Sequence, residues 1–364
     1  MLSLSSTLAQ LLVAAAATGT AATPDGGLAT GRGQDAGFDA ARSSTWRLSA
    51  KLGKGSPLRE ALVADLTADA GLGVGEVPLA PAEAEALLDD PRAQLVYGDK
   101  TVDIVAPSML VRQRSGHLDL LKIFLEPERL DAGAKFARAH APVLDRVETR
   151  TGVDREVIVS ILMWETRLGT ITGDFHAFNA FTSQAFFVDE ASGVALSRKA
   201  EKALYDPEVQ ARRIETIRSR ARRNLLALVR QCKARGIDTL EVKGSWAGAL
   251  GYPQFMPASL RWAEDGDGDG RIDLFSFDDS IASVGRYLSE NGFKANREQG
   301  VWEYNHEAAY VQGVLAYADA LKKRLAVPAD AGAPARAAKK KSGPVQPAEQ
   351  VRQVVGRPGD AKPK

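Results

Sequence analysis

The sequence predicts a mainly α protein, and three observations carry that expectation. Apolar residues recur at helical spacing through most of the chain from Gly116 to Arg324. The segment Val157–Leu168 is apolar almost all round, the pattern of a helix buried in a core. Ala211–Gly236 is amphipathic through Ile214, Ile217, Leu225 and Leu228 and closes on a glycine, a favoured residue after a helix end. The chain has 364 residues, 45% of them hydrophobic and 26% charged, enough for a substantial core.

The elements follow in order. The stretch "LAQLLVAAAATGTAA" (Leu8 to Ala22) has the apolar core and small residues of an export leader, although no Lys or Arg precedes Arg32. We expect a leader over 1–24, and with it a periplasmic or cell-envelope location. Residues 25–115 read as a Gly-, Ala- and Ser-rich linker followed by a small region. Within that region, helical patterns cover 57–70 and 81–90, and a β-hairpin is expected near 93–107, where two β-branched runs flank Gly98-Asp99. Residues 116–325 form the main helical region. Beyond it, 326–364 is rich in Pro, Ala and Lys, with too few large apolar residues to offset ordering entropy.

Charge and cysteine content exclude some classes. Basic residues number 47 against 46 acidic ones, so no nucleic-acid partner is expected. Cys232 is the only cysteine, which rules out an intramolecular disulfide. No run reaches the ~18 apolar residues of a membrane span. The segment Ala211–Gly236 holds nine basic residues and one acidic. It reads as a solvated face, or else as a surface drawn to an anionic polymer or membrane.

One carboxylate is out of place. Glu165 shares its helical face with Ile158, Ile161, Leu162 and Leu168, and the helix is expected to run to Leu168 with Gly169 ending it. Burial and the negative helix end both raise a carboxyl pKa, by ~1–3 units, as a general acid requires. The plainer alternative is a glutamate that leaves the helix end and pairs with an arginine.

Two further motifs stand out. In "DGDGDGRIDLFSFDD", Asp265, Asp267 and Asp269 occupy positions 1, 3 and 5 of an EF-hand-like calcium loop. Gly270 takes the sharp turn at position 6, and Arg271 offers its carbonyl at position 7. Position 12 is Ser276, so Asp278 or Asp279 must close the loop. The four histidines lack zinc spacing. In "GSWAGALGYPQFMPASL", glycines at 244, 248 and 251 precede Tyr252, Gln254 and Phe255. Aromatic faces beside an amide suit a sugar ring, and a turn that lines a core has the same composition.

Taken in order, the helix ending in "ETRLG", the "GSWAGALGYPQFMPAS" turn, the aspartate-rich loop and "EYNHEAAYV" (Glu303 to Val311) resemble the B-type lytic murein transglycosylases, from about Leu130 to Leu325. The resemblance implies a lysozyme-like helical domain that cleaves the glycan strands of peptidoglycan, with Glu165 as its single catalytic acid. It implies that Ser245 and Gln254 line the glycan groove and that Tyr304, Asn305 and Tyr310, in a Y-N-x-x-x-x-Y pattern, border Glu165; Tyr252 and Phe255 remain candidate aromatic surface for the sugar. It also implies that Asp279 closes a structural Ca2+ site. The family's S-F-x-Y-P-R-R segment is "QAFFVDEASG" here, with Val188 in the tyrosine's place and no arginines.

The implied product is a 1,6-anhydromuramic end, formed at the bond between N-acetylmuramic acid and N-acetylglucosamine. A hydrolytic muramidase and a non-catalytic calcium-binding wall protein are the competing classes. We expect a monomer, with peptidoglycan as substrate and cell-wall synthesis or divisome proteins as candidate partners.

Overall fold

The structure, a computed structural model, describes residues 47–96, 120–197, 207–326 and 355–356. The expected leader, most of the expected hairpin and nearly all of the tail lie outside the described residues. The first helices are α1 (Leu48–Lys51), α2 (Pro57–Thr67) and α3 (Pro81–Asp89). Then come α4 (Leu120–Phe124), α5 (Pro127–Ala139), α6 (Ala141–Thr151) and α7 (Arg155–Thr166). Strand β1 (Phe175–His176) leads into α8 (Ala177–Ser197), α9 (Pro207–Arg235) and β2 (Lys243–Gly244). The chain continues through β3 (Arg271–Ile272), α10 (Phe277–Glu290), α11 (Arg297–Tyr304), α12 (Ala308–Ala326) and β4 (Val355–Gly356). The described chain is thus mainly helical. No helix among the described residues is long and apolar enough to cross a membrane.

These residues fall into two compact units. One holds the described parts of 1–118 and 172–261; the other holds those of 119–171 and 262–356. The stretch 116–325 is therefore shared between both.

In the first unit, α8 packs along α9, and α9 packs on α2. Helix α2 starts where its local chemistry directs. Ser56 accepts from the Arg59 N–H, and Pro57 opens the helix with its φ already set. The Arg59 side chain is fully buried and pairs with the half-exposed carboxylates of Glu85 and Asp89, which joins α2 to α3. Gly236 (φ +66°) ends α9 in the expected place. Strands β1 and β2 pair antiparallel, Phe175 with Gly244 and His176 with Lys243.

In the second unit, α7 is the centre. Every side chain from Glu156 to Thr166 is buried, and α12, α5 and α10 pack on it. The fit to α12 is close. Ser160 Oγ donates to the Val314 carbonyl at 2.7 Å, and a Cβ added at Gly313 would lie 2.1 Å from Trp164 Cζ2. Strands β3 and β4 pair antiparallel, Arg271 with Gly356 and Ile272 with Val355.

One boundary departs from expectation. Helix α7 stops at Thr166 rather than Leu168, because Arg167 (φ +50°) and Leu168 (φ +53°) adopt left-handed backbone. The turn is held by the Leu168 N–H on the Leu162 carbonyl and by the Gly169 N–H on Thr166 Oγ1 at 3.0 Å. Such backbone costs about 1–2 kcal/mol for each residue with a Cβ. Glu165 is thereby the penultimate residue of its helix.

Gly313→Ala tests the α7–α12 fit. Alanine gains about 1 kcal/mol of helix propensity. Its methyl group, however, cannot be seated without displacing Trp164, which costs more. The expected result is a net loss of about 1–3 kcal/mol, read as a lower urea midpoint with an unchanged slope.

Candidate active site and acidic loop

Glu165 is 6% exposed and sits under an aromatic wall. Tyr310, 1% exposed on α12, donates its hydroxyl to Glu165 Oε1 at 2.8 Å. Burial, and after it the nearby Glu165 charge, push the Tyr310 hydroxyl well above the usual tyrosine range, so it stays a donor. Tyr304 is raised for the same two reasons in the same order, which places its ring within the field of Glu165. Trp164 stacks on Phe124 at 3.9 Å and meets Tyr310 edge-on at 5.8 Å. The Arg167 guanidinium is pushed down by burial and then by Arg129.

Asn305 adds an unusual group. It is 5% exposed, yet neither its Oδ1 nor its Nδ2 finds a hydrogen-bond partner among the described residues. A buried polar atom left unpaired costs about 1–3 kcal/mol, so this amide is poised for a polar ligand. Sequence reasoning missed the support behind it. Tyr287 on α10 meets Tyr304 edge-on at 5.0 Å and Trp262 at 4.7 Å, and its hydroxyl donates to the Glu303 carbonyl. The available signal was Tyr287 standing among the apolar positions of α10.

The acidic loop also lies in this unit. Carboxylate oxygens of Asp265, Asp267 and Asp279 all fall within 4.8 Å of one another. Oxygens bound 2.3–2.6 Å from one divalent cation can be up to about 5 Å apart, so the donor set fits a hard cation. Asp279 closes the loop. It is 2% exposed, and its oxygens accept from the Gly266 and Asp273 N–H groups at 2.7 and 2.6 Å. Burial first, then Asp267 and Asp265, push its carboxyl up to about 6. Asp265 accepts from Gly268 and Gly270, whose φ values near +80° and +90° make the sharp turns. Asp269 stands apart from the cluster and accepts from the Arg271 N–H. Arg271 itself is placed in β3.

The aromatic turn belongs to the first unit. Ser245 is buried, and its Oγ accepts from the Ala249 N–H, closing the turn. Gly248 (φ +86°) faces Phe181, where a Cβ would lie 2.2 Å from the ring. Phe255 is a core residue, and its backbone bridges to Leu250. Tyr252 is half-buried. Gln254 carries strained backbone (φ +51°) and donates to the Gly251 carbonyl, while its buried Oε1 has no partner among the described residues. The structure thus brings Glu165, Tyr304, Asn305, Tyr310 and the acidic loop into one unit. It places Ser245, Tyr252, Gln254 and Phe255 together in the other.

A helical core around a buried, tyrosine-bonded glutamate defines a lysozyme-like protein, and the comparisons agree. The fold matches the soluble lytic transglycosylase SltB1 of Pseudomonas aeruginosa with a TM-score of 0.55 and 21% identity, over 74% of this chain and 100% of that one. It also matches the Escherichia coli lytic transglycosylase Slt35 in complex with calcium, with a TM-score of 0.51 and 20% identity, over 75% of this chain and 95% of that one. The chain is 31% identical over 199 residues to the membrane-bound lytic murein transglycosylase B of Escherichia coli, covering 53% of this chain. That match spans about half of the relative's length, 48%. Residues 111–353 match the Transglycosylase SLT domain family, and the chain belongs to it.

Asp279→Ala leaves two buried N–H groups without acceptors. We expect a loss of about 2–3 kcal/mol in urea unfolding, against less than about 0.5 kcal/mol for the exposed Asp269→Ala.

Proposed function

We propose that this chain is a peptidoglycan lytic transglycosylase acting in the cell envelope, with Glu165 as its single general acid and base. The observation that carries this is the Tyr310–Glu165 hydrogen bond inside an apolar, aromatic shell. Family membership and the lysozyme-like fold support the substrate class.

Protonated Glu165 gives its proton to the oxygen linking N-acetylmuramic acid to N-acetylglucosamine as the bond from C1 breaks. The substrate's own acetamido carbonyl stabilises the cationic C1, so no second carboxylate is needed. Ionised Glu165 then takes the proton of the 6-hydroxyl as that oxygen bonds to C1, and the 1,6-anhydro ring closes. Proton count and charge are unchanged over the cycle. Tyr310 holds the carboxyl in place, the unpaired Asn305 amide is suited to acetamido or hydroxyl groups, and Tyr304 offers ring surface. In the other unit, the half-buried Tyr252 and the Gln254 Oε1, unpartnered among the described residues, are candidate sugar contacts of their own turn, while Ser245 and Phe255, set in the core, hold that turn in shape. Asp265, Asp267 and Asp279 hold Ca2+, with Asp269 and the Arg271 carbonyl as further ligands, and the ion is structural.

Wall-digestion assays test the acid. Glu165→Gln should lower turnover roughly 100- to 10,000-fold with the fold intact, and Tyr310→Phe about 10-fold or more. Mass spectrometry of wild-type products should show muropeptides one water lighter than muramidase products. Full activity in Glu165→Gln, or fully hydrated ends, would overturn the proposal.

A thermal melt tests the cation separately. A chelator should lower Tm by several degrees, and Ca2+ should restore it where Mg2+, with its stricter geometry, does not. An unmoved melting curve rejects the calcium assignment.

A further inference from the structure

The first unit contains an open cleft of about 590 Å3 that shares no residue with the Glu165 site. One wall is α9, with Arg222, Arg223 and Arg230; the other is the glycine-rich segment after α2, with Val74 and Glu76. The segment is strapped in place by the Val77 N–H on the Arg230 carbonyl and the Leu79 N–H on the Leu66 carbonyl. The cleft is therefore preformed.

Its charges are unequal. Arg222, Arg223, Arg230 and Arg261 line it against Asp65 and Glu76, four cations to two anions in a chain whose net charge is +1. Arg230 forms the floor. It is 5% exposed, donates to the Asp65 and Ala68 carbonyls and lies 3.5 Å from Glu76. Arg222 is paired with Asp65. Arg223 is exposed and makes no hydrogen bond or ion pair among the described residues. Its planar guanidinium has a full set of donors for a carboxylate. Val74, 74% exposed, and Leu226, Ala227 and Ala258 supply small apolar surface.

Asp65 is taken up by Arg222 and Glu76 by Arg230, which leaves the exposed Arg223 for a ligand. A ligand that carries carboxylates on a small aliphatic frame matches Arg223 and the apolar surface beside it. Resting on the proposed peptidoglycan substrate, we propose that this cleft binds the peptide stem of the wall, with its alanyl methyls, free carboxylates and diamino-acid ammonium. Arg223 takes a carboxylate. The site would anchor the chain to uncut wall while the glycan is cleaved elsewhere.

The test is calorimetric titration of the full chain with free L-alanyl-γ-D-glutamyl-diaminopimeloyl-D-alanine. Because it reads binding and not turnover, it stays informative if wall digestion fails. Saturable binding is expected, unchanged in Glu165→Gln and weakened at least tenfold in Arg223→Glu. Arg223→Gln should weaken it too and disturbs no partner, so it serves if the charge reversal unfolds the chain. Amidating the peptide's carboxylates should have the same effect. Absence of saturation, equal binding by both Arg223 variants, or loss of binding in Glu165→Gln overturns the proposal. So does displacement of the peptide by polyphosphate at equal concentration, which would make the cleft a plain polyanion site.

Discussion

A carboxyl group buried in an otherwise apolar helix is the constraint on which the second unit depends. Leaving such a group without partners costs several kcal/mol, more than most single contacts return. Tyr310 offsets part of that cost through one hydrogen bond, and the bond exists only if α12 is held in register with α7. Gly313 sets that register by admitting the Trp164 ring, and Ser160 does so by donating to the next carbonyl along, Val314. The packing of two helices and the placement of one hydroxyl are thus the same event. A shift of α12 by one residue would turn Tyr310 away and push a side chain into Trp164.

Much of this was legible in the sequence because period and composition report faces. The apolar run of α7 is such a local pattern, and the helix is buried as its composition predicts. What periodicity cannot report is the partner. Tyr310 lies 145 residues from Glu165, and only the family resemblance, not the period of either segment, put the two side by side. The end of α7 was misjudged for a related reason. Gly169 is the obvious stop, yet a Thr166 hydroxyl and a carbonyl at Leu162 hold the turn two residues earlier, on backbone that residues with a Cβ avoid. The basic helix α9 was read as a solvated face or a surface for an anionic polymer. Arg212, Arg222 and Arg223 are exposed, while Arg230 is buried against carbonyls and Arg213 is pushed down to about 10 by burial, then by Arg220. Charge counts do not say which charges are covered.

The polar groups without partners are informative as a set. Most buried polar atoms in a folded chain are paired. Asn305 and Gln254 depart from this, and Gln254 also carries left-handed backbone. Their motifs were visible in sequence, but the unpaired state was not, since it depends on what the surrounding fold fails to supply. Asp279 shows the converse. Its two accepted N–H bonds order the loop, while its burial beside two other aspartates works against its own charge. Such a loop holds three carboxylates close together at a cost that a nearby cation would lower.

The same opposition explains how one carboxyl can serve as acid and base in turn. Desolvation favours the neutral form, which holds the proton until an acceptor arrives. A hydroxyl donating to Oε1 favours the ionised form, which the group must occupy between bond cleavage and ring closure. Either influence alone would trap the group in one state. Burial without Tyr310 would make the first transfer reluctant, and Tyr310 without burial would make the second slow. On the proposed mechanism the two influences oppose each other at one carboxyl, each favouring the state that the other disfavours.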